Sequence, residues 1–165
     1  MTKKIFRGIL ITSIITMLAC LVFIIGVQYQ IYIESRYTEL ESKANIISIS
    51  ADEAELQKYS SIKERITLID NNGNVLYDNK AVALAMENHA QREEFKEALK
   101  DGHGYAVRHS ETLGVNTCYY AVLLENGNVL RVSGTSLTVG AVIIELLPPI
   151  AAIAVLAFVL ALVLA

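Results

Sequence analysis

The chain has 165 residues, of which 53 % are hydrophobic and 19 % are charged. This composition is too apolar for a disordered chain, and its apolar fraction is high for one small soluble domain. Lysine and arginine number 14 against 17 acidic residues, a net charge of −3 with no basic tract, which disfavours nucleic-acid binding. Cys20 and Cys118 lie far apart in unlike contexts, which argues against a disulfide scaffold and a cysteine-based metal site.

A first apolar segment follows a short basic N-terminus. Residues 8–33 contain no charged side chain, and a run of this length spans roughly 30 Å of hydrocarbon at 1.5 Å per residue. Three basic residues precede it, so the positive-inside rule places the N-terminus in the cytoplasm. A retained anchor is favoured over a cleaved signal peptide because no small-x-small site follows the run. We predict a cytoplasmic segment at residues 1–7 and a transmembrane helix at residues 8–28.

A second apolar segment covers residues 137–165, with Glu145 as its one charge and Pro148-Pro149 inside it. Proline is best tolerated in the first turn of a helix, so one prediction is a spanning helix that begins near Pro148. A helix that begins earlier is expected to bend at Pro148 and Pro149. We predict a second transmembrane helix here. The sequence ends inside the apolar run without a basic flank, so we expect it to be the front part of a longer protein.

A long helix is predicted between the first apolar segment and the polar middle of the chain, over residues 29–60, because residues 28–60 contain no glycine or proline. Apolar residues in it alternate in steps of four and three, at Ile33, Tyr37, Leu40, Ala44 and Ile47. This spacing is typical of a heptad seam. The seam either joins two copies in a signalling dimer or packs on its own domain.

The remaining segment, residues 61–136, predicts a mixed α+β domain. Two β-rich runs flank Asn72-Gly73, a strong hairpin signal, and the pentapeptide of residues 72–76 recurs unchanged at residues 126–130. A short helix over residues 92–100 is expected to stop at Gly102. The predicted order is a long helix, two strands, a short helix and three strands, which gives a five-stranded antiparallel sheet with helices.

The ordered pieces of this segment resemble the extracytoplasmic PAS-like (single Cache) domain of membrane sensor histidine kinases, and most closely those of the phosphate-regulon type. The pieces are Arg65-Ile66-Thr67-Leu68-Ile69-Asp70, Gly73, Val75-Leu76-Tyr77-Asp78, Met86-Glu87-Asn88-His89, Arg92, Ala98-Leu99, Gly102, Gly104, Arg108-His109-Ser110, Thr112-Leu113-Gly114, Tyr120-Ala121-Val122 and Val129-Leu130-Arg131. The resemblance covers residues 65–133. It departs from the family where Glu93 follows Arg92, a position at which such domains often have proline.

The resemblance implies the sensory input part of a two-component histidine kinase in a bacterial plasma membrane, with residues 29–136 outside the cell. It further implies a homodimer, a cytoplasmic response regulator as partner, and ATP as the cofactor of a kinase domain that this sequence does not contain. The sequence has no His-Glu-x-x-Thr-Pro phosphoacceptor motif and no glycine-rich nucleotide box. We therefore assign no catalytic residue and no cofactor to these 165 residues.

Two arginines in the predicted strands are the candidate ligand-binding residues. Arg108 and Arg131 lie among β-branched and aromatic residues, where a guanidinium can fork onto an anionic ligand. Tyr105, Tyr119 and Tyr120 are candidates for the pocket wall, although adjacent Tyr119 and Tyr120 point to opposite faces. The alternative is that each arginine faces solvent or is paired within the domain.

The three histidines, His89, His103 and His109, lack the carboxylate spacing of a metal site, and none is predicted. His89 is expected to organise the loop before the short helix by hydrogen bonding, while its near-neutral intrinsic pKa keeps pH sensing open.

Two other functions remain compatible with this sequence. In the first, the same sensor domain belongs to a chemoreceptor or a cyclic-dinucleotide enzyme. In the second, the chain is a membrane-anchored protein-interaction module without a small ligand. A filled interior behind Arg108 and Tyr120 favours a protein partner, whereas an open polar cavity favours a ligand.

Overall fold

The computed structural model describes residues 2–49, 51, 53–110 and 115–164, so the Thr112-Leu113-Gly114 piece lies outside the described residues. The helices are α1 (Thr2–Ser48), α2 (Glu53–Leu56), α3 (Glu93–Asp101) and α4 (Val139–Leu164), and single 3-10 turns lie at Gln57–Tyr59 and Ala83–Ala85. The strands are β1 (Arg65–Ile69), β2 (Val75–Asp78), β3 (His103–Ser110), β4 (Val115–Leu123) and β5 (Val129–Ser136).

The chain divides into two units, Met1–Tyr32 with Leu137–Ala165 and Ile33–Ser136. The first unit is apolar. Among the described residues, Ile11–Ser48 is long and apolar enough to cross a membrane, and Val139–Ile153 is a shorter apolar stretch. The hydroxyls of Thr12 and Thr16 donate to carbonyls one turn earlier at 2.8 and 2.9 Å, so these polar side chains are satisfied within the helix.

The structure decides between two predicted starts for one helix and corrects the predicted end of another. α4 begins at Val139 and contains both Pro148 and Pro149, so of the two predicted starts the structure has the earlier one. α1 ends at Ser48 rather than near residue 60. The Ser48 hydroxyl donates to the carbonyl of Asn45 at 2.9 Å, and residues 46–50 are isoleucine and serine, which favour a helix weakly.

The second unit is built on a five-stranded antiparallel sheet in the order β2-β1-β5-β4-β3. The pairs β1–β2 and β4–β5 are hairpins, and the central pairing of β1 with β5 joins the two ends of the segment. The register pairs Thr67 with Arg131, and Arg131 in turn with Ala121. Directly paired residues lie on the same face of a sheet, so the register decides which side chains meet.

The heptad seam packs against one face of this sheet. Leu40, Ala44 and Ile47 are buried in the main core cluster, and Ile33 and Tyr37 pack against it. The structure therefore shows the second of the two alternatives for the seam. The domain's own sheet covers Leu40, Ala44 and Ile47, whereas Ile33 and Tyr37 are partly exposed, and a dimer contact through the seam stays a prediction.

The two hairpins share one turn geometry. The Asp70 amide donates to the carbonyl of Asn74 at 2.9 Å, and the Leu124 amide donates to that of Asn128 at 2.8 Å. Gly73 and Gly127 have φ of 87° and 84°, a region that glycine enters without steric cost.

α3 covers one end of the other sheet face. Phe95 and Ala98 pack there on Ile69, Ala121 and Val129. Gly102 ends the helix as predicted, with φ of 86° and its amide bonded to the carbonyl of Ala98 at 3.0 Å. The rest of this face carries polar residues, and it holds the candidate site.

Candidate functional site

The sheet face opposite α1, here called the arginine face, collects charged and aromatic side chains from all five strands. The register places these residues on it: Arg65, Thr67, Asp78, Arg108, Tyr119 and Arg131. Three of the six are arginines on neighbouring or next-neighbouring strands, so some negative charge must lie among them for the domain to fold.

Glu94 supplies that negative charge from the first turn of α3. Its side chain is fully buried and accepts two hydrogen bonds from Arg108, at 2.6 and 2.7 Å. Arg131 donates a third at 3.2 Å. Burial by itself raises the pKa of Glu94, but the hydrogen bonds and positive charge of Arg108 outweigh burial, so the pKa lies below its ordinary value. Glu94 is therefore an ionised internal partner of both arginines.

The polar network continues across the sheet to β2. Arg131 donates to the Thr67 hydroxyl at 3.2 Å, and that hydroxyl donates to Asp78 at 2.9 Å. Asp78 also accepts from Arg65 Nε at 2.8 Å. One chain of contacts thus connects α3, β5, β1 and β2, and buried networks of this kind fix a single arrangement of the elements they join.

The ring of Tyr119 contacts the guanidinium groups of both Arg108 and Arg131. The guanidinium carbon of Arg108 lies 3.8 Å from its ring centroid, and that of Arg131 lies 5.3 Å away. Both distances are within the range of a cation–π interaction. Stacking leaves the edges of each guanidinium available for in-plane hydrogen bonds.

A cavity of about 220 Å³, here called the arginine cavity, opens beside this network. Its lining residues are Arg65, Met86, Glu87, His89, Arg92, Arg108, Tyr119 and Arg131. The loop that precedes α3 supplies four of the eight, so the cavity lies between that loop and the sheet. A larger cavity of about 400 Å³ shares Arg65 and Tyr119 with it.

His89 is held against the arginine cavity by its backbone. Its amide donates to the carbonyl of Gly73 at 2.7 Å, and its carbonyl accepts from the Arg92 amide at 3.0 Å. The side chain is buried. Burial, followed by the charges of Arg131 and Arg92, lowers the pKa of His89 to about 4, so the imidazole is neutral at physiological pH.

The structure pairs Arg108 and Arg131 within the domain through Glu94, which is the alternative that the sequence analysis set beside ligand binding. Tyr105 and Tyr120 are on the opposite face, where their rings contact one another at 5.0 Å between centroids. That face is covered by α1, so neither tyrosine lines the arginine cavity. Tyr119 is the tyrosine that does.

The sequence analysis did not include Glu94, Arg65 or Arg92 in the site. Glu94 carried a usable signal, because it lies four residues before the buried Ala98 and so on the apolar face of a short amphipathic helix. Arg65 and Arg92 carried no comparable signal, since their place at the cavity depends on how the loop after β2 returns to the sheet. Among the described residues, no group of three histidine, cysteine or acidic side chains is placed to hold a metal ion.

The sequence profile of the single Cache-like family matches residues 40–131, more than half of the chain. The chain belongs to the single Cache-like family. The matched range begins within α1 and ends at Arg131 in β5, so it contains the whole of the arginine network. No curated protein matches the sequence.

Solved structures with a similar fold include the extracellular domain of rpHK1S-Z16, a protein assigned as a histidine kinase, with 19 % identity and a TM-score of 0.39 over 48 % of this chain and 35 % of that chain. Another is the Bacillus subtilis YkuI protein, which has an EAL domain and was crystallised with c-di-GMP and calcium, with 14 % identity and a TM-score of 0.40 over 61 % and 30 % of the two chains. The aligned part is about a third of each of these structures.

Proposed function

We propose that this chain is the extracytoplasmic sensory and transmembrane input module of a two-component sensor histidine kinase of the phosphate-regulon type. A Cache-like sensory domain between two apolar helices supports this proposal. Lys3, Lys4 and Arg7 precede the first apolar helix, so the N-terminus is cytoplasmic and residues 29–136 are outside the bacterial plasma membrane. In this proposal the module acts as a homodimer, and the cytoplasmic part of the protein binds ATP and a response regulator.

The observation that carries the proposal is the direct continuity between the domain core and the apolar helices. α1 is one helix from Thr2 to Ser48, and its second half carries Leu40, Ala44 and Ile47 into the core. β5 ends at Ser136 and α4 begins at Val139, so the strand that holds Arg131 leads into the second apolar helix. Both connections are short, since α1 is continuous and two residues separate β5 from α4, and we expect a rearrangement of the sheet to act on both helices.

A signal acts on this module by favouring one of two arrangements. A ligand that binds both arrangements equally shifts nothing, while a change from 1:99 to 99:1 requires about 10⁴-fold preference. The arginine network is suited to such discrimination, because its bidentate contacts lose most of their strength when the strands or α3 shift by about an ångström. The open cavity beside Arg108 favours a small ligand over a purely protein-binding role.

The first experiment is to read the coding sequence beyond Ala165. We expect a basic flank, a helical linker, a His-Glu-x-x-Thr-Pro helix and an ATP-binding domain. A chemoreceptor signalling domain, a cyclic-dinucleotide enzyme or an early stop codon would overturn the kinase assignment.

The coupling is tested with the full-length protein in proteoliposomes, by measuring autophosphorylation. Leu40→Ala loosens the contact between α1 and the sheet, while Ile46→Ala changes a side chain that is 61 % exposed on the same helix. We expect Leu40→Ala to change the autophosphorylation rate severalfold and Ile46→Ala to leave it unchanged. Equal rates in both variants and the parent protein would show that the core contact of α1 does not set the output.

A further inference from the structure

Two residues that line the arginine cavity each have a buried side-chain nitrogen without a partner among the described residues. Nδ1 of His89 and Nε of Arg131 are buried and have no hydrogen-bond partner within the described part of the chain. Both side chains are at least nine-tenths buried, at 5 % and 4 % exposure, and both line the cavity. Buried polar atoms are paired in the large majority of cases, so two orphans at one small cavity indicate that a further group belongs there.

The charges around the cavity indicate the sign of that group. Glu94 forms ion pairs with Arg108 and Arg131, and Asp78 forms one with Arg65. A fourth arginine, Arg92, gives α3 no side-chain cap, and among the described residues it has no ion pair. Glu87 is the one carboxylate that lines the cavity directly. Four arginines against three carboxylates leave an excess positive charge, which an anion neutralises.

The cavity volume limits the size of the ligand. The cavity's volume of about 220 Å³ is below the roughly 300–1,000 Å³ of pockets that hold drug-sized ligands. This excludes a polymer segment or a nucleotide as a fully enclosed ligand and leaves room for a small metabolite or a free oxyanion.

We propose that the arginine cavity binds a small anion through one carboxylate or phosphate group, with Arg92 and Arg131 as the binding arginines and His89 as a hydrogen-bond partner. Arg108 is held in place by Glu94 and stacks on Tyr119, so it shapes the cavity wall. The role of this ligand as a signal rests on the proposed sensory function. The binding itself does not.

Anion binding has a proton-linked consequence at His89. The charged groups that face this imidazole are Arg131 from β5, Arg92 before α3, Arg65 from β1 and Glu94 from α3, and the arginines disfavour its protonation. An anion in the cavity offsets the arginine charges and hydrogen-bonds the protonated ring. The pKa of His89 is therefore expected to rise from about 4 when the ligand binds.

The test is isothermal titration calorimetry of the full chain in nanodiscs at constant ionic strength. The probes are inorganic phosphate, sulfate, acetate and succinate. Arg92→Gln removes the proposed binding charge, and Lys100→Gln is the matched control, since it also removes one positive charge, from the end of α3, at a side chain that is 81 % exposed. We expect saturable binding of at least one probe, weakened at least about tenfold by Arg92→Gln and less than about twofold by the control.

A second readout is the NMR titration of His89 with and without the bound probe, with the expected pKa increase specific to the ligand state. Saturation by phosphate or sulfate alone identifies a phosphate-type ligand, and saturation by acetate or succinate alone identifies a carboxylate. No saturable binding up to about 10 mM, or equal effects of Arg92→Gln and Lys100→Gln, would overturn the anion site.

The two proposals fail separately. If no probe binds but the full-length protein still changes its autophosphorylation in Leu40→Ala, the anion site is wrong and the input role stands. If a probe binds and shifts the pKa of His89 but the coding sequence lacks a transmitter, the anion site stands and the kinase assignment is wrong.

Discussion

Replacing Glu94 with glutamine tests whether the buried carboxylate organises the arginine face. The substitution keeps the size of the side chain and one acceptor oxygen but removes the charge. It leaves Arg131, which is 4 % exposed, and Arg108, whose side chain is 29 % exposed, without their shared anionic partner. The expected result is a marked loss of stability in the domain of residues 33–136, with the membrane segments unaffected.

The size of the effect follows from burial. Removing one partner of a fully buried ion pair costs about 3–5 kcal/mol, because an uncompensated charge stays in the interior. Arg108 reaches solvent in part, which reduces its share, so about 3 kcal/mol is the expected loss. At 1.36 kcal/mol per tenfold change, this corresponds to roughly a 150-fold larger population of the unfolded domain.

Thiol labelling measures this population in the intact chain. Cys118 is completely buried in β4, and burial raises the pKa of its thiol, so a water-soluble reagent reacts with it only when the domain opens. Cys20→Ser removes the other thiol. The labelling rate tracks the open population when reclosing is fast. The labelling is measured above pH 7, where the contribution of Glu94 to stability is fully present. The pKa of Glu94 is lower in the folded domain than its value of 4.5 in the unfolded chain, so its ionised form stabilises the fold above pH 4.5 and this contribution is lost as the pH falls.

Glu93→Gln is the matched control, since Glu93 is the exposed neighbour in the same helical turn. It is expected to change the labelling rate less than about threefold. In a double variant, Arg131→Met removes the orphaned charge, so adding Glu94→Gln to it is expected to cost clearly less than in the parent chain. Labelling of Glu94→Gln at the same rate as Glu93→Gln would refute the claim that Glu94 holds the arginine face together.

Three further predictions concern the stability of the same domain, followed by thiol labelling at neutral pH and by circular dichroism for the pH series, because thiolate labelling slows at low pH. Because the pKa of His89 is lowered in the folded domain, the unfolded chain binds a proton at a higher pH than the folded one does. The contribution of His89 to the free energy of unfolding is therefore fully present above pH 6.5 and falls by roughly 3 kcal/mol towards pH 4. His89→Gln is expected to flatten this slope, and an unchanged slope would contradict the assignment. Gly127→Ala is expected to cost about 1 kcal/mol of stability from its positive φ alone. Gly73→Ala also places a methyl group 2.6 Å from Asn88 Oδ1, so it is expected to cost at least about twice as much. Equal costs would show that the loop containing Asn88 moves aside freely. Asn79→Asp removes an amide that donates to two backbone carbonyls at 3.0 and 3.2 Å, with an expected loss of about 2 kcal/mol, and a neutral result would mean that water replaces these bonds.

The secondary structure of the domain was largely predictable because its signals are local. The repeated pentapeptide with Gly73 and Gly127 predicted two turns of one kind, and both glycines have the positive φ that such a turn requires. Gly102 predicted the end of α3 for the same steric reason. The end of α1 was missed because a segment without glycine or proline has no strong stop signal. The weak helix formers near Ser48 permit either an end or a continuation of the helix, and tertiary packing decides between the two.

The site was predictable in part, because chemistry can be read from residue type but position cannot. Arg108 and Arg131 were predicted to lie in strands, with ligand binding or pairing within the domain as alternatives, and the structure pairs both with Glu94. Tyr120 was a candidate for the same pocket and is on the other face, since neighbouring strand residues alternate and a shift of one residue exchanges the faces.

Local signals were enough to predict the apolar ends, the five strands, the two glycine turns and the presence of arginines within the sheet, because each of these depends on neighbours a few residues away. The tertiary structure decided the strand order β2-β1-β5-β4-β3, the face that α1 covers and the meeting of Glu94 with Arg131. Those features depend on contacts between residues that are distant in the chain. Burial then makes them specific, because an arginine inside the domain is stable only where the fold brings a carboxylate to it.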